Sequence, residues 1–149
     1  MELFQDAYRL DTSVCSNIVV KNTTLWYRRF RQEHMDMDES EAFNLFMTDA
    51  TIHSWISNRY IHGVFNHIFR RKKGRGRIIS NYLRIDEADI RIIENILLSD
   101  KIRNYADPGY FLGKGHDYTE FNRDDDLRFI QKALDSIKER YTVYYYSHY

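Results

Sequence analysis

The chain has 149 residues, the usual length of one domain, and its 22 basic and 22 acidic residues give a net charge of zero at pH 7. Hydrophobic residues make up 43% of it and charged residues 30%, which excludes disorder of the whole chain and allows one buried core. The single cysteine, Cys15, excludes an internal disulfide and a zinc site built from several thiolates. We therefore expect one globular domain over residues 1–149 that works in a reducing compartment.

The chain shows no pattern typical of export or of membrane insertion. Acids appear early in the first six residues, and no apolar run follows a positive flank as in a secretory signal. No stretch reaches the roughly eighteen consecutive apolar residues that a membrane-spanning helix needs. We expect an intracellular protein that binds no membrane, in the cytoplasm or, for a viral protein, in the cytoplasm or nucleus of its host.

The first 50 residues predict two or three helices. Residues 17–22 fit either a brief buried strand or the approach to a helix that Thr23 or Thr24 would cap. Asp38, with Glu41 three residues later, has the pattern of a capping box and predicts the start of another helix. A short amphipathic helix is also compatible with the apolar residues nearest the amino terminus, which are Leu3, Phe4, Ala7, Tyr8 and Leu10.

A long helix is predicted after Asp49. Its apolar residues recur at spacings of three, four and their sums, which indicates one buried helical face. They are Ile52, Trp55, Ile56, Tyr60, Val64, Phe65, Ile68 and Phe69. Residues 70–77 mix glycine with basic side chains and contain nothing apolar, which predicts a break and a flexible loop.

Two further helices are predicted on either side of a long loop. The acids at 86–89 would open the first, because negative charge is favoured at the positive end of a helix dipole. Residues 106–122 would form the loop, and 124–141 the last helix. That helix has apolar residues at alternating spacings of three and four, as in antiparallel bundles. The Tyr-rich tail favours an extended structure and is expected to add an edge strand or to dock on a partner.

Together these elements predict a mainly α fold. We expect a compact single-domain bundle of about five helices, since only one proline interrupts the chain. A short strand or hairpin could be added by residues 17–22, 78–84 or 142–149.

The charge distribution is the feature that composition would not predict. No acidic residue lies between Asp49 and Asp86, whereas eight basic residues fall there. Six of them lie in the segment 70–77, where arginine offers a planar fork of donors and lysine a point charge, both suited to phosphate. These candidate nucleic-acid-binding residues are Arg70, Arg71, Lys72, Lys73, Arg75 and Arg77. The alternatives are a solvated loop, or a loop that meets an acidic protein surface such as residues 124–126 of a second copy.

A second candidate site is the segment 113–120. His116, Asp117 and Glu120 bring a base and two acids onto a glycine-containing loop, where active sites often lie. The alternative is an ordinary polar loop, and we assign no catalytic residue firmly. None of the six histidines has the helical spacing of a zinc hydrolase, so no metal site and no cofactor are predicted.

Two short segments resemble parts of phage proteins. Residues 82–86, followed by the helix at 90–103, resemble the opening helical segment of head-tail connector proteins, which would imply a structural subunit of a virion. Residues 111–116 are similar to a short stretch of the phage pyrimidine-dimer glycosylases. The amino-terminal threonine nucleophile and the acidic partner of that family have no matching positions in this chain, so the resemblance implies no glycosylase activity.

Three functional hypotheses follow from these features. The first is a small non-enzymatic binding or assembly protein, of a viral, phage or mobile-element type, that contacts nucleic acid or an acidic protein surface through 70–77. The second is a small hydrolase or nuclease centred on 113–120. The third is a structural homo-oligomer, such as a connector component, that pairs through the 124–141 helix and the Tyr-rich tail. We favour binding over catalysis, because 113–120 lacks an identified nucleophile.

Overall fold

The fold is described from a computed structural model of the chain, in which residues 2–15, 17–106 and 117–149 are defined. These residues form five strands, five α-helices and a short 3-10 helix. The strands are β1 (Phe4–Asp11), β2 (Val19–Val20), β3 (Thr51–Ile56), β4 (Tyr82–Ile85) and β5 (Tyr141–His148). The helices are α1 (Thr24–Glu33), α2 (Glu39–Ala50), α3 (Arg59–Lys73), α4 (Glu87–Leu98) and α5 (Glu120–Lys138), and the 3-10 helix spans Ile102–Tyr105.

The five strands form one antiparallel sheet in the order β2-β4-β5-β1-β3. The predicted helical bundle is therefore wrong, and the fold is α/β. The segments 17–22, 78–84 and 142–149 each contribute a strand to this sheet. The tail is not an edge strand, however, because β5 lies at the centre and pairs with β1 on one side and β4 on the other.

Helices cover both faces of the sheet. Neighbouring side chains of a strand point to opposite faces, so Tyr145 of β5 enters one core and Tyr144 the other. The larger core lies between the sheet and α3, α4 and α5, where Phe65 and Phe129 are fully buried. The smaller core lies against α1 and α2, where Trp26 meets the ring of Tyr144 edge-on at 5.6 Å. The result is a three-layer arrangement with helices outside and the sheet between them.

The amino-terminal segment is a strand, not the amphipathic helix that we predicted. Leu3 and Ala7 are buried, and so are Tyr8 and Leu10, which belong to the second core. The segment therefore places apolar side chains on both faces of the sheet, whereas an amphipathic helix would place them on one. Its backbone partners come from β5, at the other end of the chain, and from β3.

The single helix predicted from 50 to 69 is also wrong, because the chain forms β3 and then α3. In β3, Trp55 is buried and Ile56 is exposed, which is the alternation of a strand. Ser57 follows with a φ of 53°, in the left-handed region, and its amide donates to the carbonyl oxygen of Leu3 at 2.7 Å. This turn separates β3 from α3, so the spacing of the apolar residues before it does not define a helical face.

The predicted helix starts are more accurate than the predicted fold class. The carboxylate of Asp38 caps α2, and Asp86 with Asp89 forms a reciprocal capping box at the start of α4. α5 begins before Asp124, because the hydroxyl of Thr119 caps it further upstream. In the described ranges, no helix combines the length and apolar character needed to cross a lipid bilayer.

Two phenylalanines of α5 provide a test of the larger core. Phe129 is fully buried and meets the ring of Trp55 at 5.0 Å, whereas Phe121 is 74% exposed. Phe129→Ala should lower the free energy of unfolding by about 3–5 kcal/mol, because it removes apolar contacts and leaves a cavity. Phe121→Ala, the matched control, should change it by less than about 0.5 kcal/mol. Urea unfolding of both variants measures the difference, and equal effects would contradict this packing.

Candidate functional site

The basic segment 70–77 lies at the end of α3. Residues 70–73 form the last turn of the helix, so only 74–77 is a loop. Basic side chains are favourable in this turn because the helix dipole leaves its carboxyl end partially negative. Gly74 and Gly76 have φ values of 89° and 99°, which residues with a side chain rarely adopt. The glycines therefore shape this loop, while the helix holds the first four cations.

Lys72 differs from Arg70, Arg71, Lys73 and Arg75 because the protein neutralises its charge. Its ammonium donates to the carbonyl oxygen of Arg84 at 2.7 Å, lies 3.7 Å from the carboxylate of Asp86 and pairs with Asp89. The side chains of Lys72 and Asp89 are only 15% and 11% exposed. We therefore assign Lys72 a structural role, in which it joins α3 to the start of α4.

Four other cations of the segment remain available to a ligand. Arg70, Arg71, Lys73 and Arg75 are exposed, and none of them forms an ion pair or a side-chain hydrogen bond with a residue that the structure describes. Arg77 is exposed as well. The stretch without acids thus produces a cluster of positive charge at the surface. Lys72 is the one cation of 70–77 that is not exposed.

A cavity of about 350 Å³ opens beside this cluster. Arg70 lines it from the end of α3 and Arg77 from the following loop, while Asn104 and Tyr105 line it from the 3-10 helix. His67 also lines it, one helical turn before Arg70. No acidic side chain belongs to the described part of the lining. The cavity therefore combines hydrogen-bond donors with positive charge.

The environment of His67 reflects that positive charge. Its ring packs edge-on against Tyr105, with centroids 5.3 Å apart. Burial lowers the pKa of His67, and the nearby charges of Arg71 and Arg70 lower it further. A neutral imidazole at pH 7 still has one N–H to donate.

A larger cavity, of about 470 Å³, has the opposite character. It lies among α2, β3 and α5, and its lining includes Asp49, Asp135 and Glu139 as well as Arg9 and Lys132. The guanidinium of Arg9 lies 3.2 Å from Asp49 and 3.6 Å from Glu139, so its charge is already paired. This cavity offers no excess of positive charge to an anion.

Of the three candidate catalytic residues of 113–120, the structure describes Asp117 and Glu120. His116 lies outside the described residues. Asp117 is exposed, and its Oδ1 accepts the amide of Tyr118 at 2.7 Å and the guanidinium of Arg103 at 3.3 Å. The backbone hydrogen bond and the arginine lower the pKa of Asp117. Asp117 is therefore a weakly basic carboxylate. Glu120 is exposed on the first turn of α5.

The acidic run at 124–126 is partly used inside the protein. Asp126 is fully buried and accepts the indole N–H of Trp55 at 2.9 Å, the amide of Asn58 at 3.2 Å and the hydroxyl of Tyr118. Burial raises the pKa of Asp126 to about 6 against the effect of these hydrogen bonds. Asp125 lies 3.0 Å from a ring nitrogen of His53. Only Asp124 is exposed.

The elements predicted to mediate oligomerisation form much of the protein's own core. Phe129, Ile130 and Ala133 of α5 are buried in the larger core, and both edges of β5 are paired within the sheet. Any subunit contact of α5 would therefore use the side of the helix that faces away from this core.

Sequence reasoning missed the residues that complete the basic cavity. His67 could have been found, because it shares a helical face with Gly63 and Arg70 at spacings of four and three. Asn104 and Tyr105 follow α4 and carry no local signal that they would lie against α3. In the described ranges, no group of three or more His, Cys, Asp and Glu side chains could hold a metal ion.

The adjacent residues Lys72 and Lys73 provide a test of the structural ion pair. Lys72→Gln should lower the free energy of unfolding by roughly 2 kcal/mol, because it leaves the mostly buried carboxylate of Asp89 without its cationic partner. Lys73→Gln removes the same charge from an exposed position and should change it by less than about 0.5 kcal/mol. Denaturant unfolding measures both, and a neutral Lys72→Gln would show that the cation is not held.

The buried carboxyl of Asp126 predicts a pH dependence of stability. Its pKa rises from 3.8 to about 6 on folding, so the folded state binds this proton more tightly and loses stability as pH rises from about 4 to about 6. Asp126→Asn has no carboxyl at this position to titrate, so its stability does not fall in this way over the same pH range. Relative to wild type, it should therefore be more destabilising at pH 4 than at pH 7, by roughly 2.5 kcal/mol.

Urea unfolding of wild type and Asp126→Asn at several pH values measures this difference. Other titrating groups, including His53, are present in both proteins and cancel in the comparison. Asp124→Asn, at the exposed position of the same run, is the control and should show little penalty at either pH. A penalty for Asp126→Asn that does not vary with pH would contradict the prediction.

Comparison with known proteins identifies no relative of this chain. No protein-family model matches it, and neither a curated protein nor a solved structure is significantly similar to it. Its function is therefore inferred from its own residues and contacts.

Proposed function

We propose that this protein is a binding module for the phosphate backbone of nucleic acid, acting through the basic segment at the end of α3. The main support for this function is that four cations are exposed and form no ion pair with a described residue. They are Arg70, Arg71, Lys73 and Arg75. Cations that are not paired within a protein can replace the counterions of a phosphate backbone, which drives association. We expect this activity inside a cell, consistent with the single cysteine.

The arrangement of the cations favours a polyanion over a single small anion. Arg71 and Lys73 lie on the last turn of α3, whereas Arg75 belongs to the glycine-containing loop. They therefore extend the positive charge beyond the cavity that Arg70 and Arg77 line. Guanidinium groups bind phosphate oxygens in pairs and carry no base information. We expect binding that depends on salt and differs little between sequences.

Catalysis receives less support than binding. The carboxylate of Asp117 is engaged by Arg103, and the carboxyl of Asp126 is fully buried. Neither is placed to activate a nucleophile in an open cleft. Among the described residues of 113–120, Glu120 is the one acid whose side chain is exposed and forms no ion pair. A single exposed carboxylate does not make a catalytic site.

Salt-dependent binding of oligonucleotides tests this proposal. We expect Arg71→Gln, Lys73→Gln and Arg75→Gln in one variant to weaken binding to unrelated sequences by the same factor. The slope of log K against log salt should fall in magnitude by about 2–3, since each lost phosphate contact removes about 0.7–0.9. Fluorescence anisotropy at several salt concentrations measures both quantities.

A second triple variant controls for net charge. Lys21→Gln, Arg28→Gln and Lys138→Gln also remove three positive charges from exposed positions, but outside the basic segment. This variant should keep the wild-type slope, and unfolding curves of both variants should match wild type. Equal slopes for the two variants would contradict the proposal. Binding of an acidic protein in the absence of any oligonucleotide binding would favour the acidic-surface alternative.

A further inference from the structure

The cavity beside the basic segment differs in kind from the rest of the cationic surface. Its walls are built from α3, the loop after it and the 3-10 helix, which brings together residues far apart in the chain. Its volume, about 350 Å³, lies at the lower end of the range of pockets that take small molecules. A phosphate group together with part of the molecule that carries it is therefore a suitable occupant.

The lining defines the chemistry of that occupant. The cavity is lined by Arg70 and Arg77, and by Asn104 and Tyr105, whose side chains carry an amide and a hydroxyl. No carboxylate is present in the described part of this lining, in contrast to the cavity that contains Asp49. The guanidinium of Arg70 and the neutral donors beside it, with no acid in the described part of the lining, complement a phosphate oxyanion.

We propose that this cavity binds a phosphate monoester, such as the terminal phosphate of a nucleic-acid strand held by the basic segment. A monoester carries a charge of about −1.5 to −2 at pH 7 and has three terminal oxygens. A diester within a strand carries a single charge, and its chain must leave on both sides. The cavity therefore matches the end of a strand better than its interior. The strand as the source of the phosphate rests on the function proposed above, whereas the monoester chemistry rests on the cavity alone.

The helix register explains why one cation is assigned to the cavity and its neighbour is not. Arg70 follows His67 on the face of α3 that lines the cavity, whereas Arg71 is exposed and does not line it. Positions 70 and 71 are therefore adjacent in sequence and both carry arginine, but only Arg70 lines the cavity. Arg70→Gln and Arg71→Gln form a matched pair in which the change of net charge is identical.

The test compares oligonucleotides that differ only at their ends. Oligomers with a 5′-phosphate, a 3′-phosphate or hydroxyls at both ends are titrated by fluorescence anisotropy at one salt concentration. We expect wild type to bind one of the phosphorylated forms about tenfold more tightly than the hydroxyl form, as expected for hydrogen bonds to a charged group. Arg70→Gln should lose this preference, and Arg71→Gln should keep it while binding all three forms more weakly.

A second pair of variants tests the cavity without removing a cation. Asn104→Asp places a carboxylate at the cavity, and Asn95→Asp places one at an exposed position of α4. Both are surface positions, so both variants are expected to fold. Asn104→Asp should abolish the preference for a phosphorylated end, and Asn95→Asp should leave it intact.

Inorganic phosphate and a nucleoside monophosphate separate the two proposals. If none of the three oligomers binds but these compounds raise the Tm of wild type and not of Arg70→Gln, the monoester site stands and the nucleic-acid function fails. If all oligomers bind equally whatever their ends, the function stands and the monoester site is overturned. The site is overturned as well if no phosphate compound and no phosphorylated end gives an effect that depends on Arg70.

Discussion

The pairing of β5 with β1 is the interaction on which the rest of the structure depends. It joins the two ends of the chain, from Phe4 opposite His148 to Asp11 opposite Tyr141, and places the Tyr-rich tail at the centre of the sheet. Because Tyr144 and Tyr145 point to opposite faces and both are fully buried, each face must be covered. The helices α1 and α2 cover one face, and α3, α4 and α5 cover the other.

The packing of α3 on this sheet positions the candidate site. Ile61, Phe65 and Ile68 of α3 are buried in the larger core, which fixes the rotation of the helix about its axis. That rotation brings Lys72 against the start of α4, where it pairs with Asp89, and turns Arg70 toward the 3-10 helix. The cations of 70–77 are alike in sequence but differ in environment. Lys72 forms a structural ion pair, Arg70 lines the cavity, and others, such as Arg71, lie in an exposed cluster.

Carboxylates are distributed in a complementary way. Asp126 is buried beneath Trp55 and Tyr118, and Asp117 is engaged by Arg103. Two acids that lie beside the basic segment, Asp86 and Asp89, are occupied by Lys72. Because acids are expensive to bury and tend to be paired where they are partly enclosed, their use within the protein leaves Arg70, Arg71, Lys73 and Arg75 without an ion pair among the described residues. This separation of charge supports binding of an anion more than it supports catalysis.

Local features of this protein were readable from the sequence. The capping carboxylates Asp38 and Asp86 predict helix starts because a cap acts within one turn of its own helix. The absence of acids between Asp49 and Asp86 likewise predicts the cationic surface, since charge belongs to the side chain itself. Of the candidate site, the sequence by itself determined these cations and their clustering.

Only the tertiary structure decided the fold class, the role of Lys72 and the existence of the cavity. β1 and β5 lie at opposite ends of the chain, and the pattern of either one alone does not reveal a partner so distant. The spacing of Trp55 and Ile56 fits a helix equally well until pairing with β1 makes them part of a strand. The cavity depends in the same way on the 3-10 helix packing against α3. Contacts between distant segments are selected by burial and backbone pairing in the whole molecule, which local spacing does not record.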